Sequence, residues 1–163
     1  MVLLSQWAYC HAAGICSMQR SNYTMLWGIK DSNMISRNDA IDQILVANPL
    51  FESQWETYMA YWDGSSPGLC SDLSEFASFI GGIFSEASQQ ILQHNFEMIE
   101  RFMTNGNDEV KTATATCLLE NLSNSVPRLI PADRFIQLLG HNSLAYCKAW
   151  DKFTGIATES LKD

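Results

Sequence analysis

From Met34 onward, apolar residues recur three and four positions apart in segment after segment, and no stretch alternates as a half-buried strand would. The pattern predicts about seven helices. The first spans 37–47, with Ala40, Ile41, Ile44 and Leu45 on one side, behind Ser36 as N-cap with Asp39 three positions on. Asn48-Pro49 ends it, because the residue before a proline avoids helical backbone angles. The second spans 50–62 and carries the clearest stripe of the chain: Phe51, Trp55, Tyr58, Met59 and Trp62, all expected inside. A turn cluster, Asp63-Gly64-Ser65-Ser66-Pro67-Gly68, follows. Ser71 is expected to cap the third helix, with Leu73, Phe76, Ala77, Ile80 and Phe84 inward and Gly81-Gly82 near its end. The fourth spans 88–103, with Ile91, Leu92, Phe96, Ile99, Phe102 and Met103 inward, and stops at Thr104-Asn105-Gly106. The sixth starts at Pro131 and stops at Gly140. Asn142 or Ser143 is expected to cap the seventh, which carries Tyr146, Cys147, Trp150 and Phe153 and ends at Gly155.

The fifth helix, 107–125, is unlike the others. Asn107 suits an N-cap, and Asp108 and Glu109 place negative charge at the positive end of the helix dipole. Val110, Ala113, Thr114, Cys117, Leu118 and Leu122 form one face, and its first half is small. Small side chains let neighbouring helices approach closely, so this helix is expected at the centre of the packing. The fold class that follows is all-α: a single-domain helical bundle or a short stack of antiparallel, HEAT-like helical hairpins.

Composition narrows this picture without redirecting it. A chain of 163 residues suits one domain and needs no staple, since it buries roughly 70% of its unfolded surface on folding. Eighteen aromatic residues supply ample core. The five cysteines are Cys10, Cys16, Cys70, Cys117 and Cys147; their number is odd and no two form a Cys-x-x-Cys pair. Reduced thiols and a cytoplasmic home are therefore expected, rather than a disulfide framework or a zinc site. Residues 1–33 fit poorly with the rest. They hold one acid, Asp31, and scattered apolar residues without a period. They lack both the charged head of a secretory signal and the length of a membrane span. They are expected to be an extension, an upstream start preceding a functional domain over 34–163; a genuine arm that packs on the domain is the other reading.

Charge changes the functional picture most. Between Asn38 and Glu100 there are ten acids and no Lys or Arg. From Met34 to the end, eight basic and seventeen acidic residues give a formal charge of −9. Such a field repels nucleic acid, which needs Lys and Arg against its phosphates, and steers a basic protein instead. The same acids would also serve solubility alone. The acids expected to face a partner lie around the second and third helices: Glu52, Glu56, Asp63, Asp72 and Glu75.

No catalytic signature appears. His11, His94 and His141 stand at no metal-ligand spacing, and no phosphate loop, nucleophile elbow or dinucleotide fingerprint is present. Glu52 and Glu56 lie one helical turn apart, which more often makes a solvated face than a metal site. Glu120, surrounded by Leu118, Leu119 and Leu122, is either an acid that burial makes easier to protonate or, the favoured use, a bonding partner between helices. No cofactor, metal or enzymatic activity is expected.

Several runs together resemble a known family. They are Phe51-Glu52-x-x-Trp55-Glu56 to Trp62, Pro67-Gly68-Leu69 with Asp72-Leu73, and Glu109-Val110-Lys111-Thr112-Ala113. Cys117 to Leu122, Leu139-Gly140-x-x-Ser143, and Cys147-x-x-Trp150-Asp151-x-Phe153-Thr154-Gly155 complete the match. This pattern resembles the DUF7674-like bacterial helical proteins over nearly all of 34–155 and none of 1–33. Some members resemble immunity proteins encoded beside secreted polymorphic toxins. The resemblance implies no catalytic residues. The expected function is an immunity protein that binds and occludes a cognate, basic toxin in the cytoplasm, without nucleic acid or membrane as partner. The alternative is a non-catalytic helical adaptor with no toxin partner.

Overall fold

The computed structural model describes residues 34–155 and Leu161; the expectations for residues 1–33 lie outside the described residues. Among the described residues there are seven helices and no strand. They are α1 (Arg37–Ala47), α2 (Glu52–Tyr61), α3 (Leu69–Ile83), α4 (Gln89–Asn105), α5 (108–124), α6 (Ala132–Leu138) and α7 (His141–Thr154). A single 3-10 turn, Pro49–Phe51, links α1 to α2. The domain is all-α, as the apolar spacing predicts.

Local chemistry sets most of the helix starts. Ser36 and Asp39 form a reciprocal capping box at α1. Ser88 accepts from the Ile91 N–H at α4, and Asn107 from the Val110 N–H at 2.9 Å at α5. Two expected caps are corrected. α3 begins at Leu69 behind Gly68, so Ser71 lies inside the helix. At α7 neither Asn142 nor Ser143 is the cap residue. Both lie in the first turn, and the free N–H groups there are taken by Glu100 from α4. Its Oε1 accepts from the Asn142 N–H at 2.8 Å, and its Oε2 from the Ser143 N–H at 3.0 Å and the Ser143 hydroxyl at 2.7 Å. The carboxylate comes so close that a Cβ on Gly140 would lie 2.4 Å from its Cδ, so a larger residue there would have to push the Glu100 side chain aside. Burial pushes the Glu100 carboxyl up, but the hydrogen bonds from Asn142 and Ser143 outweigh it and hold the group below the usual carboxylate range.

α5 is the centre of the packing. It lies against α3, α4 and α7, and Val110, Ala113, Thr114, Cys117, Leu118 and Leu122 are all buried. Its middle, Thr114–Leu119, widens into a π-helical segment, a local rearrangement of the ladder that apolar spacing does not report. The Asn121 amide donates to the Cys117 carbonyl at 2.6 Å and to Ser74 of α3 at 3.0 Å, tying this segment to its neighbour.

The close approach of α3 and α5 has a chemical consequence that corrects the expected thiol state. Cys70 and Cys117 stand 5.3 Å apart at Cα and are joined in a disulfide. The small face that brings the helices together also brings the two sulfurs together, and neither spacing nor cysteine count signals this. Cys147 is buried and free, with the Ser123 hydroxyl donating to its sulfur at 3.6 Å. Burial pushes its thiol up to about 11, so it is an unreactive packing residue. Glu120 is a bonding partner between helices: it accepts from the Tyr146 hydroxyl of α7 at 2.6 Å.

α2 differs from its expected place. Phe51 just before it is buried, but no residue within α2 is fully buried; Trp55, Tyr58 and Met59 are half-buried. Trp62 is 42% exposed, against the expectation that it packs inside. Ile91 of α4 is likewise 47% exposed. α2 runs along the edge of the domain, and the helix ends at Tyr61, so the last positions of its stripe have no layer to cover them.

Candidate functional site

The surface around α2 is built on a buried polar knot. Asp72, in the first turn of α3, is only 1% exposed. Its carboxylate accepts from Arg37 Nη2 at 3.0 Å, from the Tyr58 hydroxyl at 3.0 Å and from the Ser66 hydroxyl at 2.6 Å. Ser66 in turn accepts from the Gly68 N–H at 3.1 Å and from Arg37 Nη2. Four elements meet at one anion: the start of α1, α2, the 62–68 turn and α3. A buried carboxylate must be paired to be tolerated, and Arg37 is the cation that bounds the long stretch without Lys or Arg. Burial, then the hydrogen bond and charge of Asp72, push the Tyr58 hydroxyl far above its ordinary value, so it stays protonated as a donor.

This arrangement separates the five acids expected to face a partner. Asp72 is not an outward contact, because its lone pairs are spent inside the fold. Glu75 is half-buried and accepts from Gln54 at 2.7 Å, bridging α3 to α2. Glu52, Glu56 and Asp63 are exposed. Glu52 and Glu56 lie one turn apart on α2, and Asp63 follows the end of the helix in a left-handed conformation (φ 52°), which Asp tolerates better than most residues. The three therefore span the length of α2, about 15 Å for ten residues.

Sequence reasoning missed the aromatic part of this surface. Tyr61 is 79% exposed, and its ring meets Trp62 edge-on at 5.1 Å between centroids. With Leu50, Ser53, Thr57 and Glu75 they line an open groove of ≈ 740 Å³. The available signal was positional: Trp62 directly precedes the Asp63-Gly64 turn, where a helix ends. Exposed Tyr and Trp beside carboxylates are the residue types that anchor protein interfaces. No group of three His, Cys, Asp or Glu side chains among the described residues converges as metal ligands would. No helix among them is long and apolar enough to cross a membrane.

The family described as "Domain of unknown function (DUF7674)" matches residues 41–155, well over half the chain. The chain belongs to the DUF7674 family. No curated protein and no solved structure matches it. The DUF7674 region runs from α1 to the end of α7, and so contains Asp72, Tyr58, Ser66 and the exposed face of α2. Arg37 lies just before it.

Proposed function

We propose that this protein is an immunity protein that binds a basic protein toxin and covers its active cleft. The supporting observation is that α2 and the residues at its end expose three acids, Glu52, Glu56 and Asp63, and two aromatic rings, Tyr61 and Trp62. Acids at a rim speed encounter with a basic partner, and aromatic anchors hold it once bound. The Asp72 knot presents this face on a fixed base, which lowers the ordering cost of binding. The second reading is a helical adaptor that uses the same face on a partner that is not a toxin.

Thiol chemistry bears on the proposed compartment. Disulfides persist outside the reducing cytoplasm, so the Cys70–Cys117 bond moves the proposed site of action from the expected cytoplasm to an oxidising compartment. The role is tested by titrating the protein against any toxin domain that its neighbouring genes encode, at two salt concentrations, while following toxin activity. Inhibition with a strong salt dependence is expected, and Glu52→Lys, Glu56→Lys and Asp63→Lys together should slow association and flatten that dependence. Absence of any complex overturns the immunity reading; a complex without inhibition favours the adaptor.

A further inference from the structure

A second exposed surface lies where α1 ends and α4 begins. Val46 is 83% exposed, Leu50 81% and Ile91 47%, an unusual concentration of large aliphatic residues in water. They belong to one strip. Leu50 and Ile91 stand over an apolar pit of ≈ 360 Å³ whose walls include Phe79, Ile83 and Ala87. Ala47 lines that pit and also the two adjoining grooves, one of which Val46 borders. The base is fixed: Asn48 Nδ2 donates to Asn95 Oδ1 at 2.8 Å and to the Ile44 carbonyl at 3.1 Å, while Asn95 Nδ2 donates to the Ile91 carbonyl at 3.0 Å. Both amides are buried, and the pair locks the end of α1 onto α4. A preformed pit with satisfied polar groups beneath it can receive a side chain without collapsing first.

The rim identifies the occupant. Glu86 borders the pit, and Glu97 and Asp42 border the adjoining grooves. Arg101 is the one Lys or Arg lining these three cavities, and His94 lines the two adjoining grooves. Two copies of this chain meeting here would set carboxylates against carboxylates, which disfavours self-association. We infer that the strip is a docking site for a segment of a basic protein that carries one large apolar anchor flanked by Lys or Arg, the anchor entering the pit between Leu50 and Ile91. This deepens the proposed partner-binding role and rests on it for the partner's being a basic protein. The α2 face supplies encounter, and the pit supplies an anchor.

The test uses the full chain and two short Lys-rich peptides of equal charge, one with a central tryptophan and one with serine in its place, followed by amide resonances. The tryptophan peptide should shift Ala47, Leu50 and Ile91, and the doubly substituted Leu50→Ser, Ile91→Ser protein, its helicity checked by circular dichroism, should bind it about tenfold or more weakly. Equal binding of the serine peptide, shifts confined to Tyr61 and Trp62, or shifts of the strip that follow protein concentration alone would each overturn the inference. A toxin domain encoded by a neighbouring gene, titrated in the same way, separates the two proposals. Peptide binding without toxin binding sinks the immunity reading and leaves the pit standing. Toxin binding that the double substitution leaves unchanged overturns the pit and leaves immunity standing.

Discussion

α2 and α5 make an instructive pair. α2 carries the bulkiest stripe in the chain, Trp55, Tyr58, Met59 and Trp62, yet it lies at the edge with no fully buried residue. α5 presents Ala113, Thr114 and Cys117 over its first half, yet it sits at the centre, against α1, α3, α4 and α7. Bulk on a helix face shows that something must cover it, but not from how many sides. Central helices need room for several neighbours, and small side chains make that room; large rings fill the gap at a rim and leave their polar edges to solvent.

The comparison breaks most sharply in the core. Leu118→Ala on α5 should destabilise by about 2–5 kcal/mol, since a fully buried Leu leaves a cavity among close-packed helices. Tyr61→Ala on α2 should change stability by no more than about 0.5 kcal/mol. Chemical denaturation of both variants measures the contrast, and equal losses would mean that α2 is as integral as α5. The disulfide comes next. It closes a 47-residue separation between α3 and α5, so replacing both Cys70 and Cys117 by Ala should cost about 2–4 kcal/mol. Unfolding with and without reductant checks this, and insensitivity to reductant would show that the bond adds nothing to the packing of α3 on α5.

Smaller effects sharpen the same contrast. Ala113→Leu should overpack the α5 face and destabilise by about 1–3 kcal/mol, visible as a lowered melting midpoint. Among the acids, Glu100→Gln should cost about 0.5–2 kcal/mol, because the cap of α7 loses its charge. Glu52→Gln and Glu56→Gln should leave the melting midpoint unmoved. Glu100 also sets a pH dependence. Its folded pKa lies below the unfolded value of 4.5, so its contribution is present above that pH and is lost as pH falls through the lowered value. Acid titration of stability should therefore be shallower in Glu100→Gln than in the parent. Last, Gly82 near the end of α3 is exposed and has open space where a Cβ would go. Gly82→Ala should stabilise by about 0.5–1 kcal/mol, the reverse of Ala113→Leu.

The spacing of apolar residues and the chemistry of helix starts were enough to determine the all-α class, the seven helices and the inward faces of α3 and α5. Those signals act within a few residues, where hydrogen-bond partners and side-chain periodicity are fixed by the chain itself. Family membership was legible for the same reason: the matching Trp, Leu and Gly positions are those the helices need. What joins distant segments was not legible. The cation paired with Asp72 is 35 residues away, the acid capping α7 comes from α4, and Cys70 meets Cys117 across two helices. Asp72 and Glu52 are the same kind of residue on neighbouring helices, and only packing makes one an internal anchor and the other part of a surface. The exposure of Trp62, Ile91 and Leu50 was decided in the same way, because a stripe's sequence cannot specify whether a neighbour arrives to cover it.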